Sequence, residues 1–128
     1  MIVDSSAVVA VLLRESRQEE LAVKLDDAKV VAVGAPTLFE IGMVMVGVMG
    51  ERGRGLVALF LESFEVEVIP FGEAHWQTAV EAFSRYGKGR HPAKLNYGDC
   101  MSYATSRIAE EPLLYIGNDF AQTDIEAA

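Results

Sequence analysis

The sequence has little of what would mark a secreted or membrane protein. Its one cysteine, Cys100, excludes a disulfide framework within the chain and fits a reducing compartment. The longest uncharged apolar stretch, Ile41–Gly50, is about half the length that a membrane span needs. The chain opens Met-Ile-Val-Asp, without a basic leader or a cleavage site. We therefore expect a cytoplasmic protein with no membrane contact.

Basic residues and histidines are also scarce. The chain has 11 Lys and Arg against 19 Asp and Glu, which gives a formal net charge of -8. Such a protein repels nucleic acid on average, so any nucleic-acid role requires a local basic patch or a bound metal ion. His75, His91 and Cys100 show no zinc-ligand spacing, which disfavours a zinc site.

What the chain does have is the alternating pattern of a single α/β domain over residues 1–128. It is 51% hydrophobic, too apolar for a disordered chain. Four short apolar runs are typical of buried strands: Ile2–Val3, Val30–Val33, Val66–Ile69 and Leu113–Ile116. Stretches with helical spacing separate them, and Thr37 with Glu40 is a predicted capping box that opens a helix reaching about Met49. This alternation predicts helices layered on a mostly parallel sheet, with the site beyond the carboxyl ends of the strands.

Acidic residues lie at those predicted strand ends. Asp4 directly follows the first strand, Glu40 lies in the first turn after the second, and Asp119 follows the fourth. Asp99 begins the helix before the fourth strand, and it reaches the same edge if that helix starts there. Each residue taken alone also suits a helix cap, a capping box or a turn.

A cluster of four carboxylates requires a counter-charge. Two like charges 4 Å apart repel by about 4 kcal/mol at an effective dielectric constant of 20. Glu40 has no basic residue near it in sequence, although the helix that follows it is apolar nearly all round. Oxygen ligands select hard ions, so the pattern predicts Mg²⁺ or Mn²⁺ as the cofactor.

One segment, Ser84–Gly98, is basic and contains no acidic residue. Its glycines and proline predict a mobile loop just before Asp99. A solvated surface loop is the simpler interpretation, but the position beside the predicted metal site favours contact with an RNA backbone. The candidate RNA-binding residues are Arg85, Lys88, Arg90 and Lys94.

Four segments together resemble the PIN-domain nucleases, and most closely the VapC toxins of VapBC toxin–antitoxin modules. The segments read MIVDSSA from Met1, APTLFE from Ala35, GRHPAKLNYGDCMSYA from Gly89 and GNDFAQTDI from Gly117. The resemblance spans the whole chain. It implies an α/β/α sandwich around a parallel sheet of four or five strands, the last near Asp124–Glu126.

The resemblance also implies the site and the activity. The metal-binding and catalytic acids of the family map onto Asp4, Glu40, Asp99 and Asp119, and supporting polar groups map onto Ser6, Thr123 and Asp124. Family members cut RNA with Mg²⁺ or Mn²⁺, form homodimers and are neutralised by a VapB-type antitoxin. The expected activity is hydrolysis of RNA phosphodiester bonds, with Asp4 and Asp99 as the chief metal ligands.

Other interpretations of the same pattern make different predictions. A phosphatase or a phospho-receiver also uses strand-end aspartates, but the chain lacks the second aspartate two residues after Asp4 and a lysine after Lys94. A catalytically silent PIN-like RNA-binding or assembly module is the alternative outside the enzymes, and the intact acids argue against it.

A further expectation concerns the helix that contains Met43, Met45 and Met49. Methionines at helical spacing usually pack in the core. The helix has more apolar residues than one buried stripe requires, so part of its surface is expected to meet another chain.

Overall fold

Four short parallel strands form a sheet in the order β3-β2-β1-β4. The structure is a computed structural model that describes all residues from Met1 to Ala128. The strands are β1 (Ile2–Val3), β2 (Ala32–Gly34), β3 (Glu67–Ile69) and β4 (Leu113–Leu114). The chain moves outward from β1 through β2 to β3 and then returns to the other side of β1. The order therefore reverses between β1 and β4, which is where open parallel sheets bind ligands.

Six helices cover the two faces of the sheet. They are α1 (Ser5–Leu12), α2 (Gln18–Asp27), α3 (Ala35–Met49), α4 (Glu51–Ser63), α5 (Glu73–Tyr86) and α6 (Tyr97–Ala109), followed by a 3-10 turn at Phe120–Gln122. No helix is long and apolar enough to cross a membrane.

Alternating strand residues divide the core into two parts. Val3, Val33 and Leu114 pack with α1 to α4 on one face of the sheet. Ile2, Ala32 and Leu113 pack with α5 and α6 on the other. Successive strand residues point to opposite faces, so these short apolar strands are buried on both sides. The predicted α/β/α sandwich and parallel sheet are confirmed.

The predicted capping box at Thr37 and Glu40 is wrong. Helix α3 begins at Ala35, directly after β2, and its N-cap Gly34 has no capping side chain. Pro36 occupies the first turn, where a missing N–H costs nothing. Thr37 is consequently inside the helix and buried, and its hydroxyl contacts Ser102 instead of the helix end.

The chain end extends the sheet without forming the fifth strand that the resemblance allows near Asp124–Glu126. Leu113 donates its N–H to the carbonyl of Glu126 at 2.9 Å, and Ala128 donates to the carbonyl of Leu113 at 3.0 Å. The result is an isolated parallel bridge between Leu113 and Ala127. The segment just before this bridge lies beside α6, because Asp124 accepts a hydrogen bond from the Tyr103 hydroxyl.

Candidate active site

Asp4 is the most deeply buried of the predicted acids. It follows β1 and is 4% exposed. Its Oδ2 accepts hydrogen bonds from the Ser6 N–H at 3.0 Å and the Ser6 hydroxyl at 2.6 Å, so Asp4 also caps α1. Its Oδ1 accepts from the Ser102 hydroxyl at 2.6 Å. Hydrogen bonds therefore hold both oxygens of this buried carboxylate.

Ser102 and Thr37 complete that arrangement, and the sequence pattern did not mark either as a partner of Asp4. The Ser102 Oγ lies 3.2 Å from the Thr37 Oγ1, and both side chains are buried. The only sequence signal was their spacing, because Ser102 lies three residues after Asp99 and Thr37 three before Glu40. Residues three apart share one face of a helix, so each hydroxyl lies one turn from an acid.

Asp99 lies in the first turn of α6, where it forms a capping box with Asn96. Asp99 accepts from the Asn96 N–H at 2.9 Å, and the Asn96 side chain accepts from the Asp99 N–H at 2.9 Å. Burial raises the pKa of Asp99 to about 6, against the lowering effect of the Asn96 hydrogen bond. The charges of Asp4, Asp119 and Glu40 add to that rise. Asp99 thus lies close enough to the other three predicted acids for their charges to act on it.

Glu40 and Asp119 complete the group, and neither side chain has a hydrogen-bond or ion-pair partner. Glu40 lies against Gly98 so closely that a Cβ at position 98 would overlap its carboxylate. Asp119 is exposed and precedes the 3-10 turn without capping it by its side chain. Because neither side chain takes part in a helix cap or a turn, both are free to bind a ligand.

The group has no positive partner within the protein. None of the ion pairs includes Asp4, Glu40, Asp99 or Asp119. As they stand, no three acidic, histidine or cysteine side chains are placed to hold one metal ion directly. Mg²⁺ commonly keeps several waters and takes only one or two protein carboxylates. This all-oxygen donor set therefore fits a hard divalent ion that is bound partly through water.

The histidines and the cysteine lie outside this chemistry. His75 and His91 accept local backbone hydrogen bonds through Nδ1, from Gly72 and Ala93 respectively. Cys100 is buried, and burial followed by the charge of Asp99 raises the pKa of its thiol to about 11. A protonated thiol is a poor ligand for zinc.

The supporting residues divide into two groups. Ser6 contacts Asp4 directly, and the Ser6 Oγ accepts a hydrogen bond from the Ile116 N–H at 3.0 Å. Thr123 instead holds its own turn, since its hydroxyl donates to the Phe120 carbonyl at 2.7 Å and accepts from the Ile125 N–H at 3.2 Å. Thr123 makes no hydrogen bond with any of the four acids.

Asp124 belongs to a different cluster. It accepts a hydrogen bond from the Tyr103 hydroxyl at 2.7 Å and lies 3.6 Å from Arg107 and 3.7 Å from Arg85. Burial tends to raise its pKa, but the Tyr103 hydrogen bond and the two arginine charges outweigh burial and lower it. Asp124 therefore has counter-charges of its own, in contrast to the four acids.

The glycines of the basic loop predicted a mobile segment, but buried residues hold the loop in place. Ala93 and Leu95 are completely buried, and Leu95 donates its N–H to the Tyr86 carbonyl at 2.9 Å. Lys88, Arg90 and Lys94 are exposed, and the Arg90 guanidinium lies over the Phe83 ring at 5.3 Å. Three of the four candidate RNA-binding side chains thus remain outside ion pairs, while Arg85 is paired with Asp124.

Comparison with known proteins places this arrangement in a family. The family model described as PIN domain matches residues 1–126. Ribonuclease VapC36 of Mycobacterium tuberculosis is 42% identical over 127 residues, which cover 98% of this chain and 91% of the relative. The chain belongs to the VapC ribonucleases of the PIN domain family. A second relative, Ribonuclease VapC of Mycolicibacterium smegmatis, is 37% identical over 127 residues, covering 99% of this chain and 98% of the relative.

Solved structures show the same fold at much lower identity. Mycobacterium tuberculosis VapC20, described as a Sarcin-Ricin loop cleaving toxin, aligns with a TM-score of 0.79 at 18% identity, over 99% of this chain and 97% of that chain. VapBC2 from Rickettsia felis, bound to a DNA fragment from its promoter, aligns with a TM-score of 0.77 at 12% identity, over 99% of this chain and 96% of that chain. These likenesses show the fold alone.

Proposed function

We propose that this protein is the toxin of a type II toxin–antitoxin module, and that it hydrolyses RNA phosphodiester bonds with Mg²⁺ or Mn²⁺. The observation that carries the proposal is that Asp99 lies under the electrostatic influence of Asp4, Glu40 and Asp119, while none of these four carboxylates has an ion-pair partner. Such a group is stable only with a counter-charge or with proton uptake. Membership of the VapC ribonucleases supports RNA as the substrate.

Each acid has a distinct place in this mechanism. Asp4, buried and held by hydroxyls, and Asp99, at the start of α6, serve as the chief ligands. Glu40 and Asp119, whose side chains have no protein partner, complete the site directly or by orienting bound water. A bound divalent ion supplies an activated water and stabilises negative charge on the phosphate. Lys88, Arg90 and Lys94 hold the RNA backbone on the approach to the site.

An antitoxin of the VapB type is the proposed protein partner. Two solved structures with this fold are described as toxin–antitoxin assemblies, from Klebsiella pneumoniae and Rickettsia felis. On this chain, an apolar groove between α3 and α4 is lined by residues that include Phe39, Met43 and Leu61. Phe39 and Met43 are 68% and 54% exposed, whereas Met45 is in the core. Because Phe39 adjoins Glu40, a segment in this groove could place a basic side chain among the acids.

A second copy of the chain is the proposed occupant of another apolar surface. Trp76, Val80 and Phe83 of α5 line a groove with Tyr97 and Met101 of α6. Trp76 is 50% exposed and Tyr97 is 80% exposed, which is costly for two large aromatic residues in water. A homodimer through this surface would bury them. Light scattering at micromolar concentration tests this, because a monomer would contradict it.

The proposed activity is tested by comparing wild type with Asp119→Asn. Asp119 is exposed and makes no side-chain hydrogen bond, so this variant should fold normally. We expect RNA cleavage in Mn²⁺ to fall by at least about tenfold. Asp26→Asn, a change at an exposed acid of α2, is the matched control and should leave the rate unchanged. RNA binding without cleavage by wild type, across a broad pool of RNAs, would instead support the silent binding module.

A further inference from the structure

Two buried hydroxyl groups and one buried carboxylate form a series of hydrogen bonds at the proposed metal site. Thr37, Ser102 and Asp4 are 3%, 1% and 4% exposed. The Ser102 hydroxyl donates to Asp4 Oδ1 at 2.6 Å, and the Ser102 Oγ lies 3.2 Å from the Thr37 Oγ1. These bonds join α3 and α6 to the end of β1.

The donor in each hydrogen bond between Thr37, Ser102 and Asp4 follows from the number of protons available. A serine hydroxyl has one proton to donate and can also accept. Because Ser102 donates its proton to Asp4, the bond between Ser102 and Thr37 must use the Thr37 proton. Thr37 therefore donates to Ser102, which donates to Asp4.

A second series of hydrogen bonds reaches the other carboxylate oxygen of Asp4. The Ile116 N–H donates to the Ser6 Oγ at 3.0 Å, and the Ser6 hydroxyl donates to Asp4 Oδ2 at 2.6 Å. Donors thus approach both carboxylate oxygens from separate elements. Rotation of the carboxylate would break bonds on both sides, so its plane is held in one orientation.

Each of the two hydroxyls also lies one helical turn from one of the other acids. Ser102 is one turn along α6 from Asp99, and Thr37 is one turn along α3 from Glu40. The hydrogen bond between the two hydroxyls therefore joins α3 and α6 one turn away from Glu40 and Asp99. Its loss would leave both the orientation of Asp4 and the separation of Glu40 from Asp99 less well defined.

We propose that Ser102, supported by Thr37, is a positioning residue that orients Asp4 for binding the divalent ion. This inference rests on the proposed function, and it assigns a role within that site to two residues that are not themselves ligands. Hydrogen-bond partners of metal ligands commonly change metal affinity by about 10–100-fold when they are removed. The same effect is expected here for Mn²⁺.

The test measures Mn²⁺ binding to purified protein without RNA, from the electron paramagnetic resonance signal of free Mn²⁺. Ser102→Ala should weaken binding by about tenfold. Ser106→Ala is the matched control, because Ser106 is 2% exposed on the same helix and donates to the Glu111 carbonyl at 2.6 Å. Ser106 makes no hydrogen bond to any of the four site carboxylates. The control variant should shift the urea midpoint in the same direction as Ser102→Ala and change Mn²⁺ affinity by less than about twofold.

A second pair of variants keeps the test decisive if Ser102→Ala does not fold. Thr37→Val keeps the shape but removes the donor to Ser102, whereas Thr37→Ser keeps a hydroxyl. We expect weaker Mn²⁺ binding for Thr37→Val and restored binding for Thr37→Ser. Thr105→Val controls for the loss of a buried threonine hydroxyl, since Thr105 is 1% exposed and donates only to the Met101 carbonyl.

Several outcomes would overturn the positioning role. They are wild-type affinity in both Ser102→Ala and Thr37→Val, an equal loss in Ser106→Ala, or no rescue by Thr37→Ser. If wild type binds Mn²⁺ and Asp119→Asn does not, but Ser102→Ala binds as wild type does, then only this inference fails. If wild type itself binds no Mn²⁺, the proposed function fails and the positioning role fails with it.

Discussion

The carboxylate of Glu40 lies against the backbone of Gly98, and no side chain can fit between them. The contact places Glu40 of α3 beside the first turn of α6, next to Asp99. Glycine at position 98 therefore allows Glu40 to lie where it does, because only hydrogen leaves room for the carboxylate in that position. The far end of a glutamate side chain moves easily, so a larger residue would displace Glu40 more readily than it would disturb the core.

Gly98→Ala should consequently separate activity from stability. We expect RNA cleavage to fall by about tenfold or more, because Glu40 is pushed from the site. The free energy of unfolding should change by less than about 1 kcal/mol, since alanine favours the helix while Glu40 moves away. Parallel cleavage assays and urea titrations measure both effects.

Gly55→Ala in α4 is the control for the helix propensity of alanine. A Cβ at Gly55 would meet no neighbouring atom within 4 Å. This variant should be more stable by about 0.5–1 kcal/mol and fully active. If Gly98→Ala cleaves RNA as fast as Gly55→Ala does, the proposed role of Glu40 is wrong.

Asp99→Asn should stabilise the metal-free protein at neutral pH. The pKa of Asp99 is about 6 in the folded protein, above its ordinary value near 4, so the folded state favours the protonated side chain. Ionisation of Asp99 therefore costs stability as the pH rises from about 4 through about 6. The full shift corresponds to about 3 kcal/mol, and because the side chain is partly exposed, solvent screening lowers the expected gain to about 1 kcal/mol.

The measurement is urea unfolding in the presence of a chelator at several pH values. Asparagine retains the oxygen that accepts from the Asn96 N–H, so the cap of α6 is preserved. The gain should be present at pH 8 and absent at pH 3, where Asp99 is protonated in both states. An equal gain at both pH values would show that charge repulsion is not its cause.

Asp124→Ala should lower stability without lowering metal affinity. Asp124 joins the C-terminal segment to α6 through the Tyr103 hydroxyl and lies near two arginines. Its removal leaves the buried tyrosine without that partner, at an expected cost of about 1–2 kcal/mol. Mn²⁺ affinity should stay within about twofold of wild type, because Asp124 is paired with Tyr103 and two arginines and is not a proposed ligand. A large loss of affinity with unchanged stability would assign Asp124 to the metal site instead.

The basic loop makes a prediction about salt. RNA binding is measured in the Asp119→Asn background with chelator present, so that the RNA stays intact. Changing both Lys88 and Arg90 to Ala should weaken binding and reduce the slope of log affinity against log salt by about 1.4, or about 0.7 for each phosphate contact on a single strand. Changing Arg17 and Lys29 to Ala, which lie on either side of α2, should leave the slope unchanged. Equal slopes for both double variants would remove the loop from the RNA path.

The positions of the acids were predictable because the sequence itself marks the strand ends. Asp4 interrupts an apolar run at its carboxyl end, and parallel strands bring such ends to one edge of the sheet. Asp99 was harder to place, because its helix precedes β4, and the Asn96 capping box is what starts that helix at the site.

The contacts behind the acids could not be predicted from local patterns. Thr37 and Glu40 have the spacing of a capping box, but tertiary structure overrides it, because α3 starts immediately after β2 and buries Thr37 against α6. Ser102 and Asp4 are 98 residues apart, so nothing in the spacing could pair them. Asp124 has a sequence context similar to that of Asp119, and only the folded chain shows that arginines neutralise one and not the other.

We propose that Asp4, Glu40, Asp99 and Asp119 share a divalent ion. The most direct test is anomalous diffraction from crystals of the protein soaked in Mn²⁺, with data collected at the manganese absorption edge. We expect an anomalous peak within ligating distance of Asp4 and Asp99, and its loss in crystals of Asp99→Asn. Well-diffracting, manganese-soaked crystals with no peak among the four carboxylates would contradict it.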